Sequence, residues 1–155
     1  MISRYQVVPA AYVVLRRNVG AGQVLLQLRS GTGYRDGHWA CAAAGHVEAG
    51  ESVVEAALRE AREEIGVRIA PADLVPLCAM HRTHGNGNPV DERVDFFFTC
   101  TRFEGSPRLL ERHKSADLRW FDLDALPDPV VPHERRVLDL LRAGRVPAIL
   151  TEGFG

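Results

Sequence analysis

Three glutamates, Glu60, Glu63 and Glu64, stand at i, i+3 and i+4 in the segment Arg59-Glu60-Ala61-Arg62-Glu63-Glu64. On a helix this spacing gathers them within about one turn. Like charges at that spacing repel by about a few tenths of a kcal/mol per pair, so the arrangement calls for a compensating cation. Oxygen-only ligands suit a hard divalent ion, and Mg2+ takes a few carboxylates, keeps water and fills its remaining positions with substrate phosphate oxygens. The chemistry indicated is a metal-assisted reaction at phosphate. For three glutamates taken alone, a solvated charged helix face is the competing reading.

The helix that positions them has legible ends. Ser52 with Glu55 three residues later is a capping-box pair, and Gly66 supplies a C-terminal stop, so the helix runs from about Val53 to Ile65. Val54, Ala57, Leu58, Ala61 and Ile65 form its apolar stripe, Glu55 and Arg62 look to solvent, and Arg59, Glu60, Glu63 and Glu64 share another side. Gly45 to Glu51 reads as the loop leading in.

The full register decides between the two readings. Gly45, Glu51, Arg59, Glu60, Ala61, Glu63, Glu64, Gly66 and Val67 match each fixed position of the Nudix box. The chain thus resembles the Nudix hydrolase family across residues 45–67, and the flanking pattern extends the likeness over most of residues 1–155, read as a single domain. The resemblance implies an α/β fold, the Nudix αβα sandwich with a mixed β-sheet between helices. It implies a Mg2+-dependent, MutT-like pyrophosphohydrolase, with Mn2+ a possible substitute, that cleaves a nucleoside diphosphate linked to a group X. Carried over by position, Glu60, Glu63 and Glu64 with the Gly45 carbonyl would hold metal, and Arg59 with Glu51 would form the ion pair fixing loop to helix. A metal-activated water would attack phosphorus, with Glu60 or Glu63 as proton acceptor. One departure is Ala43-Ala44, where the family commonly has Pro-Gly.

Outside the box, Glu111-Arg112-His113-Lys114 is similar to a Glu-Pro-x-Lys stretch of the family, making Glu111 a further metal or base candidate; Asp91 and Glu92 rank below it. Arg29 resembles an arginine that faces the phosphates, a role its guanidinium fork suits. His46, at a variable box position, is a candidate phosphate contact. Tyr34, Arg35, Trp39, Arg82 and Phe97 could frame a base or sugar, with Trp39 and Phe97 more at home in the core. His81 and His84 lack the context of a zinc site.

Strands are expected at Tyr5–Arg17, Val24–Arg29, Trp39–Ala43, Leu74–Arg82, Arg93–Thr101 and Leu118–Phe121. Turn chemistry is expected at Asn18–Gly22 and Thr83–Glu92, a loop at Ser30–His38, a helical turn at Asp122–Leu126 and a closing helix at His133–Ala143. The 155 residues suffice for a real core, and Cys41, Cys78 and Cys100 form no CxxC pair, which suits free thiols in a reducing compartment. No leader-like or membrane-spanning segment is present in the sequence, and cytoplasm is the expectation. A net charge of -1 with scattered arginines disfavours an extended nucleic-acid surface. The partner expected is therefore a small nucleotide, with homodimerisation possible. A nucleoside triphosphate is the leading substrate; ADP-ribose or a nucleotide sugar is the enzymatic alternative, and a non-catalytic nucleotide sensor the alternative of a different class.

Overall fold

The computed structural model describes residues 4–18 and 22–155, so the middle of the turn expected at Asn18–Gly22 lies outside the described residues. The elements follow in the order β1 (Val8–Arg17), β2 (Gln23–Arg29), β3 (Trp39–Cys41), β4 (Ala43–His46), α1 (Val53–Ile65), β5 (Val75–Thr83), β6 (Glu92–Cys100), β7 (Ser115–Asp122), α2 (Pro132–Arg142) and β8 (Ile149–Glu152). No helix among the described residues is long and apolar enough to cross a membrane.

β1 organises the sheet because both of its faces are buried. Ala11, Val13 and Leu15 pack with the α1 side, whereas Ala10, Tyr12 and Val14 pack with the α2 side. A strand covered on both faces reads as a continuous apolar run instead of an alternation. Along one edge β1 pairs in parallel with β6, which continues through antiparallel β5 to parallel β8. The sheet is thus mixed and lies between two helices, as expected.

The other edge of β1 changes partner. Ala10 to Val13 pair with β4, while Arg16 and Arg17 pair with β2. β2 then diverges from β1 and carries β3 and β7 as antiparallel neighbours. The segment expected as one strand, Trp39–Ala43, is therefore two strands broken at Ala42, β3 serving β2 and β4 serving β1. Gln27 bridges the break, its Nε2 donating to the carbonyls of Cys41 (3.1 Å) and Ala42 (3.2 Å).

Other boundaries shift for physical reasons. β1 starts at Val8, where its pairing with Arg93 of β6 begins, and residues 4–6 before it are exposed. β7 extends over Ser115–Asp122 because it follows β2 along almost its whole length. Asp122–Leu126 contains a turn closed by Ala125 N–H to Asp122 O (2.9 Å), with no helix. β8 was not foreseen; its four residues depend on β5 and carry little pattern of their own.

α1 has the expected ends: Ser52 and Glu55 form the reciprocal capping box, and Gly66 adopts φ 69°. Its apolar stripe is displaced slightly, with Ala56, Ala57, Ala61 and Ile65 buried and Val54 and Leu58 half-buried. α2 buries Val137 and Leu138 but also His133 and Glu134 from its first turn. Backbone bonds from Trp39 to Pro129 and Val131 dock the entry of α2 on β3.

Glu134 completes that docking by accepting the Cys41 N–H at 2.8 Å. Burial is the largest influence on its carboxyl and pushes it up from 4.5 to about 7. Because the folded value lies above the unfolded one, folding disfavours ionisation; stability present below about pH 4.5 declines as pH rises to about 7. Glu134→Gln keeps an acceptor for Cys41 without the charge. Urea denaturation from pH 4 to 8 should show the wild type losing up to on the order of 3 kcal/mol relative to the variant across that window; parallel curves would refute the assignment.

Candidate active site

The glutamate helix faces the end of β4. Gly45 is the point of closest approach: a Cβ on it would lie 2.2 Å from Glu60 Oε1, so the carboxylate rests against the backbone where only glycine leaves room. One turn on, Glu64 Oε2 accepts the Ala44 N–H at 2.6 Å. Ala43 and Ala44 pair with Val13 and Tyr12, so the departure from Pro-Gly is accommodated as regular strand.

Arg59 locks the loop to this helix. Its Nε and Nη2 donate to Glu51 at 2.8 and 2.9 Å, its Nη1 donates to Glu60 at 2.8 Å and Glu63 at 3.2 Å, and its Nη2 reaches the His46 carbonyl at 3.3 Å. The fork on Glu51 holds that carboxyl down at about 2, the Arg59 hydrogen bond being the largest cause. The ion pair inferred from the box is therefore present.

Glu60 and Glu64 experience the opposite environment. Burial raises the Glu60 carboxyl, with Glu63 and Glu111 adding like charge against the relief from Arg59. Burial raises Glu64 further, again with Glu60 and Glu111 contributing, against the Ala44 amide and Lys114. Glu63 lies at the exposed edge of the cluster, its side chain half-accessible. Glu111 is tied to Lys114 at 3.1 Å, with its charge still acting on both inner glutamates.

Among the described residues, no three His, Cys, Asp or Glu side chains converge as a ready-made metal cluster, since Arg59 and the Ala44 amide engage Glu60 and Glu64. The donor chemistry nevertheless fits a hard divalent ion: two desolvated carboxylates, oxygen only, beside a glycine backbone that admits no side chain. A bound cation would offset the burial that chiefly raises both groups, together with the like charge around them.

These glutamates stand at one end of a cleft of about 700 Å³ that opens where β2 leaves β1. Arg29 lies on its wall, fixed by Nε to the Tyr34 carbonyl (2.8 Å) and Nη2 to Thr32 Oγ1 (3.1 Å), with its guanidinium over the Tyr34 ring at 5.4 Å. Tyr34, His46 and Arg82 also line the cleft, whereas Arg35 is exposed beyond its lining with φ 50°. Phe97 is core, stacked on Tyr12 at 4.5 Å, and Trp39 packs edge-on against Phe121 at 4.8 Å. Asp91 lines the cleft, but Glu92 is engaged by Tyr5 and Thr83. His81 contacts the Tyr5 hydroxyl at 3.1 Å and His84 approaches Asp91 at 3.8 Å, so the two histidines have separate partners.

Sequence reasoning missed Tyr12, Gln27, Arg93, His133 and Glu134, all of which line the same cleft. Tyr12 and Arg93 sit in strands that read as core, and His133 and Glu134 in a helix first turn that reads as solvated. Only strand register brings them together.

The NUDIX domain family model matches residues 7–141, and the chain belongs to that family. Its fold is that of a Nudix hydrolase domain. A MutT NUDIX hydrolase from Burkholderia pseudomallei is 29% identical, with a TM-score of 0.74 over 86% of this chain and 97% of that one. The NAD-capped RNA hydrolase NudC of Pseudomonas aeruginosa is 34% identical over 107 residues, 66% of this chain and 34% of that protein. The uncharacterized Nudix hydrolase YvcI of Bacillus subtilis is 28% identical over 69% of this chain and 66% of its own length. The chain thus spans about a third of the length of the NudC relative.

Gly45→Ala tests the contact between strand and helix. The added methyl cannot coexist with the present Glu60 position; because the clashing atoms end a flexible side chain, the cost is that of releasing the carboxylate from its Arg59 hydrogen bond, about 1 kcal/mol. Thermal unfolding should show that loss, and Gly45→Ala on a Glu60→Ala background should recover most of it; equal losses on both backgrounds would contradict the contact.

Proposed function

We propose that the protein is a Mg2+-dependent pyrophosphohydrolase acting on a nucleoside triphosphate or another nucleoside diphosphate-X compound. The observation that carries this is the pair of desolvated carboxylates, Glu60 and Glu64, set against the Gly45 backbone at the mouth of a cleft with cationic walls. Glu60, Glu64 and the Gly45 carbonyl would hold the metal, with Glu63 and Glu111 at its periphery. A divalent cation bound there supplies charge neutralisation on the diphosphate and a lowered pKa for water.

The chain's own groups divide the remaining work. Arg59, fixed by Glu51, positions Glu60 and Glu63 and holds the loop carrying His46. Glu60, with its raised carboxyl, and Glu63, half-exposed beside Arg59, are the two candidate proton acceptors. Arg29 and Lys114, both in the cleft lining and brought near each other by the β2–β7 pairing, offer cationic donors to phosphate oxygens. Tyr34, half-exposed on the same wall, presents an aromatic face suited to a base.

Phosphate release should be measured across nucleoside triphosphates, ADP-ribose, nucleotide sugars and dinucleoside polyphosphates. Turnover should vanish in EDTA, return with Mg2+ and persist with Mn2+. Absence of turnover for the whole panel, despite nucleotide binding, would point to a sensor and overturn the proposal. Glu64→Gln keeps an acceptor for the Ala44 amide while deleting the charge. It should fold normally and lose at least about a hundredfold in kcat; near-normal kcat would remove Glu64 from the metal site.

A further inference from the structure

The cleft has a second charged end, remote in sequence from the glutamate helix. In the β5–β6 ladder Arg82 stands directly opposite Arg93. Both belong to the face shared with Met80 and Asp95, two pairs further along, which is the face covered by α2. Like charges directly across a ladder destabilise it, so the pair requires compensation.

Among the described residues only one of them has an ion-pair contact, although the charge of Asp95 is felt by both. Asp95, fully buried, accepts from Arg82 Nε, and Arg82 Nη2 reaches the Tyr12 hydroxyl at 3.5 Å. Among the described residues Arg93 has no ion-pair partner: its Nη1 reaches the Val90 carbonyl at 3.4 Å, and its Nε is buried without any hydrogen bond. A buried unsatisfied donor costs free energy, more so on a charged group.

The surroundings leave the imbalance facing the cleft. Arg82, Arg93 and His46 line it above the small side chain of Ala10. The nearby carboxylate of Asp91 is occupied by Asn86 at 2.8 Å and approached by His84 at 3.8 Å. His133 bonds the Tyr12 hydroxyl at 3.1 Å, and burial with the guanidiniums keeps it neutral, held down at about 2. Glu134 is the other carboxyl on this side, committed through one oxygen to the Cys41 amide.

We propose that Arg82 and Arg93 form an anion subsite that takes a phosphate monoester carried by the substrate, separate from the diphosphate at the glutamates. A phosphate offers the acceptors that Arg93 lacks, and the guanidinium fork matches its geometry. The Arg82–Asp95 pair holds the platform, and Arg93 supplies the guanidinium whose Nε has no hydrogen-bond partner. This deepens the hydrolase reading and rests on it for the diphosphate end: the substrate class becomes a nucleoside diphosphate-X compound with an additional phosphate monoester.

Two matched pairs test it, ADP-ribose against its 2′-phosphate and dephospho-coenzyme A against coenzyme A. In at least one pair kcat/KM should favour the phosphorylated member roughly tenfold or more, carried in KM, and Arg93→Gln should collapse that ratio toward one. Arg93→Lys, which keeps charge but not the fork, should retain part of it. Independently of turnover, calorimetric titration with inorganic phosphate in EDTA should show binding that weakens roughly tenfold in Arg93→Gln and persists in Glu60→Gln. Arg93-dependent phosphate binding without hydrolysis of any compound would uphold the subsite and sink the hydrolase reading. Hydrolysis with no preference in either pair, or a preference and phosphate binding indifferent to Arg93, would overturn the subsite and leave the hydrolase reading standing.

Discussion

The contact between the Glu60 carboxylate and the bare Cα of Gly45 sets the terms for the rest of the site. A helix carrying a negative cluster is brought against a strand edge so closely that a methyl group would not fit. The same approach lets Glu64 take up the Ala44 amide, a donor on the side of β4 away from β1. Both carboxyls are thereby removed from water and crowded by like charge, which raises them. Arg59 offsets the tension only partly, because its fork is aligned with Glu51 and reaches Glu60 through a single nitrogen. The geometry leaves two desolvated carboxyls side by side in the lining of the cleft.

That demand is useful only because β1 changes partner. With β4 on its first half and β2 on its last two residues, the sheet must open between them, and the opening is the cleft. Gln27 and Glu134 hold the chain at the crossing from β3 to β4, satisfying backbone groups that neither strand pairs. Buried polar groups seldom remain without partners. The two side chains therefore explain how a strand can break in the interior at Ala42 without orphaning its backbone.

The cleft is lined by charges of both signs. Glu60 and Glu64 line it from the glutamate helix, Arg29 from β2, and Arg82 and Arg93 from the β5–β6 ladder, where Asp95 is ion-paired with Arg82. A low-dielectric wall strengthens such fields. On the proposed reading, a substrate in the cleft would meet carboxylates that call for a cation and guanidiniums that call for an anion.

The box could be read from the chain because it is local: capping residues, helical period and carboxylate spacing all lie within residues 45–67, and α1 spans the residues expected from them. The apolar runs of β1, β2, β5 and β6 were legible for the same reason, since covering both faces of a strand leaves a continuous signature. The break at Ala42, the strand β8 and the length of β7 were not, because each is defined by its pairing partner instead of its own pattern. The grouping of Arg82, Arg93, Tyr12 and Glu134 was equally hidden. Residues separated by many positions share a cleft only through register and layer packing, and a one-residue slip would turn every side chain to the other face. Local sequence thus determined the glutamate helix, while the tertiary structure alone decided what faces it.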